Sequence, residues 1–412
     1  MELRETTLDN GLTVLAECND EAHTSSIGFF VRTGSRDETS DVAGVSHFLE
    51  HMVFKGTSGR SADDVNREFD EMGAHYNACT SEESTIYYAA ILPEYQDQVV
   101  ELWADILRPS LREDDFDMEK KVIIEEIRMY DDQPPYGADD RCKAAFFGSH
   151  PLANSVLGTV ESITELPVDR MRGYFRQRYS PGNIALVGSG KIDFDRLVEK
   201  AAEVTAPWQP QEALRPLPAT EPHQEFLVVT KPESTQQYAM QLTLGPSATD
   251  ATRHAAKVLS VVLGDDSGSR IFWELVDPGL AEHASLGHYE YDGTGLFVTY
   301  LACTPEKCED NLQRILDIYR QACDEGIGEA EVERARNKIT SRVVLASEKP
   351  RSRLFHVGSS WLHARPYRSV REELDALASV TAADIESLMR EFPLSESTTI
   401  AVGPLESVEA PK

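Results

Sequence analysis

The chain repeats itself, and the repeat limits its fold more than any other feature. Ala90-Ile91-Leu92-Pro93-Glu94 recurs as Ala302-Cys303-Thr304-Pro305-Glu306, and Ile184-Ala185-Leu186-Val187-Gly188 as Thr399-Ile400-Ala401-Val402-Gly403. The two offsets are 212 and 215 residues in a chain of 412. A register this constant needs the same elements in the same order twice, so the chain reads as two copies of one α+β unit. Between the copies, residues 206–223 carry Pro207, Pro210, Pro216, Pro218 and Pro222. That proline density blocks regular hydrogen bonding and marks an extended linker. The expected division is therefore 1–205, a linker at 206–223, and 224–412.

The local pattern within each copy supports a sheet packed with helices. Residues Leu12 to Glu17 and Ser25 to Arg32 have the apolar character of strands, and Asp9-Asn10-Gly11 and Thr33-Gly34-Ser35 break them as turns. Ser61 caps a helix with Val65, Phe69 and Met72 on one side, ending at Gly73. Strands at 74–79 and 85–92 and a helix at 94–107 follow. The second copy reads as strands at 226–229, 238–244, 283–291 and 295–303, with helices at 252–263 and 307–325.

One short helix in the first copy carries chemistry. His47-Phe48-Leu49-Glu50-His51 has the form H-x-x-E-H. At about 100° per residue, His47 and His51 lie about 40° apart, with Glu50 about 60° to the other side. Two neutral imidazoles one turn apart can fill two corners of a tetrahedral zinc site, and the neighbouring carboxylate is placed to deprotonate a metal-bound water. The plainer alternative is a solvated helix face. Phe48, Leu49, Met52, Val53 and Phe54 crowd the same turns and argue for burial instead.

A zinc site needs a third protein ligand. On a helical wheel over 116–130, Phe116, Met118, Val122, Ile123, Ile127, Met129 and Tyr130 form an apolar face, and Glu119 and Glu126 fall in its middle, whereas Glu125 falls at its edge. A carboxylate in apolar surroundings needs a metal or a hydrogen-bonded partner. Glu126 is assigned as the third ligand and Glu119 as a group orienting a histidine or the base. Pairing of both glutamates with arginines in a core network is the alternative.

With these residues in place, the chain resembles a known family. His47-Phe-Leu-Glu-His-Met-Val-Phe-Lys-Gly-Thr57, with Glu126 of Glu119-Lys-Lys-Val-Ile-Ile-Glu-Glu-Ile127 following His51 after 74 intervening residues, is similar to the pitrilysin or insulinase family of zinc peptidases, M16, in its mitochondrial-processing-peptidase-like branch. The resemblance implies two homologous domains forming half of a clamshell. It implies His47, His51 and Glu126 as ligands of Zn2+, Glu50 as general base and Glu119 as the supporting carboxylate. It also implies an edge strand at Ala74, His75, Tyr76, Asn77 and Ala78, onto which an extended peptide substrate adds. His75 on that strand is expected to face solvent rather than the metal.

The second copy has no ligands where the metal helix would recur, at Ala256-Lys-Val-Leu-Ser-Val-Val262. Many relatives supply an arginine and, seven residues on, a tyrosine that bind substrate. Here Val276 and Glu282 stand in those places, with one residue deleted between them. A dimer is expected, with a different subunit of the family supplying the missing pair; Arg270, Tyr289 and Tyr291 are the local substitutes. The expected activity is zinc-dependent endopeptide hydrolysis, and the alternative is a non-catalytic structural subunit.

Charge and cysteine usage exclude other classes. A formal charge of −30 repels nucleic acid and anionic membrane. It is consistent with an acidic chamber for basic peptides or with an ordinary solvated surface. The six cysteines include no C-x-x-C pair and read as free thiols, mostly in the core. The amino terminus lacks the basic start and apolar core of a signal peptide, which favours the cytoplasm.

Overall fold

The computed structural model describes residues 1–412, which divide into two compact units. The first holds strands β1 (Glu2–Thr7), β2 (Thr13–Cys18), β3 (Ser25–Val31), β4 (His75–Thr80), β5 (Thr85–Ile91) and β6 (Ile184–Gly190). They form one sheet in the order β1-β2-β6-β3-β5-β4. The second unit holds β7 (Phe226–Thr230), β8 (Gln237–Gly245), β9 (His283–Tyr291), β10 (Thr294–Cys303) and β11 (Thr398–Gly403), ordered β7-β11-β8-β10-β9.

The two sheets are the same sheet twice, apart from the extra β1. In each, the first and last strands of the repeat pair in parallel, β2 with β6 and β7 with β11, and every other pairing is antiparallel. The sequence matches at offsets of 212 and 215 fall on equivalent places. Pro93 and Pro305 each open a short 3-10 turn after β5 and β10, and Ile184–Gly188 and Thr399–Gly403 lie in β6 and β11.

The helices of the first half are α1 (Val45–Val53), α2 (Ala62–Glu71), α3 (Gln96–Ile106), α4 (Glu113–Asp132), α5 (Ala138–Phe147), α6 (Val160–Glu165), α7 (Val168–Arg178) and α8 (Phe194–Thr205). Those of the second include α9 (Arg253–Gly264), α10 (Cys308–Glu325), α11 (Glu329–Ser347) and α12 (Pro350–Leu362). Alternation sends Ile27, Phe29 and Val31 of β3 into the core shared with α1, α3 and α7, and Phe30 into a second core on the opposite face. Both faces are covered, so β3 and β6 are buried along their whole length.

The cover of that second face departs from the sequence expectation. Residues 345–367, which include α12, belong to the first unit, and residues 130–153, which include α5, belong to the second. Leu354 and Val357 of α12 close on Phe30, Leu15 and Val187, while Cys142 and Phe146 of α5 close on Leu242, Ile400 and Val402. Each half of the sequence thus lends one helix to the other's sheet. The expected division into 1–205, 206–223 and 224–412 differs from this partition, because strand order repeats locally whereas the choice of covering helix is made in three dimensions. Residues 206–223 contain no helix or strand, as their prolines require, yet Trp208 is buried in the first unit's core.

The cysteines are all free, but only Cys142, Cys303 and Cys308 are buried; Cys79 and Cys323 are exposed. No helix is long and apolar enough to cross a membrane.

Helix α12 sits close against β3 because Gly358 has no side chain, and a Cβ there would overlap the Phe30 ring. Gly358→Val is expected to destabilise the protein by about 1–3 kcal/mol through this overpacking, read as a lower denaturation midpoint in urea.

Candidate metal centre

Helix α1 is held in place before its ligands are considered. Its N-cap is Gly44 at φ 86°, and a Cβ there would press on the Leu157 carbonyl and the Ile163 side chain. Ahead of it, the buried Glu38 carboxylate accepts the Gly44 and Ser46 N–H groups at 2.6 and 2.7 Å. Burial pushes the Glu38 carboxyl up to about 8, against the pull of those two donors. The helix packs across β4 and β5, with Phe48 stacked on Phe116 of α4 at 4.6 Å between ring centres.

His47 and His51 project from the same side of α1, their ring centres 4.7 Å apart. Glu126 of α4 comes to meet them. Its Oε2 lies 3.8 Å from His47 Nε2 and 3.7 Å from His51 Nε2, and one donor atom from each of the three residues lies within 4.8 Å of the others. These separations are too long for hydrogen bonds, so the groups converge without satisfying one another. Donors about 2.0–2.2 Å from a tetrahedral ion sit roughly 3.3–3.6 Å apart. The two separations from Glu126 exceed that spacing by only a few tenths of an ångström, so its carboxylate and each imidazole can share such an ion. Two imidazoles and a carboxylate are also a donor set suited to zinc.

Glu119 fixes the tautomer of one ligand. Its carboxylate is 4% exposed and accepts from His51 Nδ1 at 2.8 Å, which turns the Nε2 lone pair toward Glu126. Lys55, one turn beyond His51, meets the other oxygen at 2.5 Å. Burial alone would raise the Glu119 carboxyl, but the bonds to His51 and Lys55 hold it below the usual range, as an anion. Burial also works to lower His51, and the bond to Glu119 with the nearby charges of Glu126 and Glu50 raises it overall. His47 is lowered to about 4, by burial first and by His51 second, so its imidazole is neutral near pH 7. Its Nδ1 is buried with no hydrogen-bond partner.

Glu50 stands apart from this trio. Its Oε2 accepts from Thr80 Oγ1 at 2.5 Å. Burial raises its carboxyl, and the bond to Thr80 and the charge of His51 only partly offset this. A carboxylate with its proton affinity raised by burial is suited to taking a proton from a neighbour.

Strand β4 pairs with β5 on one side only and is the edge of its sheet. His75, Tyr76, Asn77 and Ala78 lie on it and Ala74 just precedes it. His75 is exposed and is not among the converging donors.

The wheel reading of α4 needs correction. Phe116, Glu119, Ile123 and Ile127 form a narrow buried stripe, while Met118, Val122, Met129 and Tyr130 are 65%, 47%, 52% and 37% exposed. Glu126 borders the stripe and its side chain is 34% exposed, so it is not sealed in an apolar face. Sequence reasoning also missed Thr80, Lys55 and Glu38. Lys55 carried a faint signal, four residues after His51; Thr80 and Glu38 carried none.

With the geometry described, comparison places the chain among known proteins. Residues 13–160 match the family described as insulinase (peptidase family M16), and residues 165–339 match the peptidase M16 inactive domain. The chain is 31% identical to an uncharacterized zinc protease of Streptomyces coelicolor, over 99% of this chain and 91% of the relative. It belongs to the M16 peptidase family. A second relative, the uncharacterized zinc protease YmxG of Bacillus subtilis, is 28% identical over 98% of both chains. Two solved structures share the fold: a protease from Helicobacter pylori (TM-score 0.91, 20% identity, 98% and 99% of the two chains) and a peptidase M16 inactive domain from Pseudomonas fluorescens (TM-score 0.92, 17% identity, 99% and 100%).

Two variants separate the supporting roles. Glu119→Gln is expected to weaken metal affinity about 10–100-fold, measured by competition with a chelator. Thr80→Val should leave that affinity within about twofold, because Thr80 touches only Glu50 of this group.

Proposed function

We propose that this chain is a zinc-dependent endopeptidase that cleaves peptides or unfolded segments in extended form. The observation that carries the reading is the convergence of His47, His51 and Glu126 on one point, with Glu50 beside them and outside the trio. Zinc held there would polarise the scissile carbonyl and acidify the attacking water. Glu50 would accept the proton of the attacking water at its Oε1, the oxygen that Thr80 leaves free, and pass it to the departing amine. Thr80 holds the base in one rotamer between the two transfers.

Strand β4 supplies the substrate's seat. The open edge of β4 offers main-chain donors and acceptors to any extended segment, so binding depends on backbone form more than on sequence. Helix α1 packs against this strand, so the metal ligands lie beside the edge onto which the peptide would add.

The test compares substitutions with different consequences. Glu50→Gln should retain about one zinc per chain by elemental analysis and lose about 10²–10⁴-fold in cleavage of a denatured protein substrate. His47→Ala, His51→Ala and Glu126→Ala should lose the metal itself. Cleavage by Glu50→Gln at the unaltered rate would remove the mechanism.

A non-catalytic subunit is the second reading, and the second copy favours it. Val276 and Glu282 replace the expected arginine and tyrosine, and Arg270 is committed to Glu331 at 2.9 Å and to the Gly326 carbonyl at 3.0 Å. Tyr291 is buried, which leaves the 54% exposed Tyr289 as the accessible candidate. Turnover by the homogeneous chain distinguishes the readings: activity without a second protein favours the enzyme, and zinc binding without activity favours the subunit.

A further inference from the structure

The first unit contains a second site-like feature that the metal chemistry does not use. Helices α3 and α7, together with the segment that follows α8, line an open cavity of about 1000 Å³. None of His47, Glu50, His51, Glu119 or Glu126 lines it. Its volume is at the upper end of the range of small-molecule sites.

Arg108 lines this cavity with its charge uncompensated. The guanidinium donates to the Leu107 and Tyr179 carbonyls at 2.7 and 3.0 Å, and no carboxylate reaches it. It lies 3.6 Å over the Trp208 ring and 5.6 Å from that of Phe175. Burial lowers its pKa to about 9, whereas a carboxylate partner would raise it. An arginine has five N–H donors, so the remaining ones have no protein partner.

Other arginines of the chain show what is missing. The buried Arg353, Arg178 and Arg36 sit on Glu17, Asp37 and Glu83. With 70 acidic residues against 40 basic ones, carboxylates are not scarce. Three acids line the cavity and none pairs with Arg108: Asp105 binds Arg60, Glu203 binds Lys200, and Glu101 is exposed. Arg176, exposed on the same wall, adds a second cation without a carboxylate. The Arg108 guanidinium is only partly buried and has no carboxylate partner, and an incoming oxyanion would supply two charge-assisted hydrogen bonds at once.

We propose that this cavity binds a small organic anion, with Arg108 gripping a carboxylate or phosphate and Trp208, Phe175 and Pro207 forming the wall for its flat apolar body. An oxyanion alone would leave most of the space unfilled, and a neutral aromatic would leave the guanidinium unpaired. The site requires both parts. It is separate from the proposed peptidase chemistry and does not depend on it.

The full-length chain is titrated with phenyl phosphate, benzoate, inorganic phosphate and benzyl alcohol, and binding is followed by calorimetry. At least one of the two aromatic anions should bind saturably below 10 mM, and more tightly than inorganic phosphate or benzyl alcohol by tenfold or more. Which anion binds better tells phosphate from carboxylate. Arg108→Gln should weaken that binding at least tenfold, and Val204→Trp, which fills the cavity from its wall, should abolish it. If Arg108→Gln does not fold, Val204→Trp decides alone. Absence of saturable binding by both aromatic anions, equal binding of benzyl alcohol, or binding unchanged in Val204→Trp would overturn the proposal.

Discussion

Glu119 is the group on which the candidate centre depends. A carboxylate this buried keeps its charge only because His51 and Lys55 approach its two oxygens. In return it selects which nitrogen of His51 carries the proton and so which way that ligand's lone pair faces. The same contact ties α4 to the last turn of α1 and its continuation, and so brings Glu126 within reach of both imidazoles. At the other end of α1, Glu38 holds the first backbone N–H groups. The helix is therefore gripped by an acid at each end. Its position is set by interactions that leave the converging donor atoms themselves free, the condition for a ligand set that is arranged before its ion arrives.

Much of the centre was legible in the sequence because helical spacing is local. His47, Glu50 and His51 share a short helix whose neighbours are apolar, so their common face follows from its pitch. Glu126 was legible for a partly mistaken reason. The wheel placed it inside a broad buried face, but α4 buries only the stripe through Phe116, Glu119, Ile123 and Ile127. Met118, Val122 and Met129 look like core residues by type and face outward. Thr80 and Glu38 could not be found this way, because their partners lie 30 and 8 residues away in the chain and neither occupies a motif position.

The fold was legible to the same depth. The doubled unit follows from two short matches at nearly equal offsets, and the turns after β5 and β10 fall where the shared Pro-Glu places them. Which helix covers each sheet's second face was not. Helices α5 and α12 are only weakly amphipathic and of ordinary composition, and nothing in either segment names its destination. Only close fit decides it, as where Gly358 admits the Phe30 ring.

That exchange has a consequence for how the molecule comes into being. The sheet that carries the metal helix is complete by residue 190, yet one of its faces stays uncovered until α12, ending at Leu362, has been made. On a ribosome, the amino-terminal half must wait through more than a hundred residues of further synthesis with Phe30, Leu15 and Val187 bare to water. Maturation of the half that carries the candidate metal centre is thereby made contingent on the half that carries none, and a truncated product would be left with an open apolar sheet.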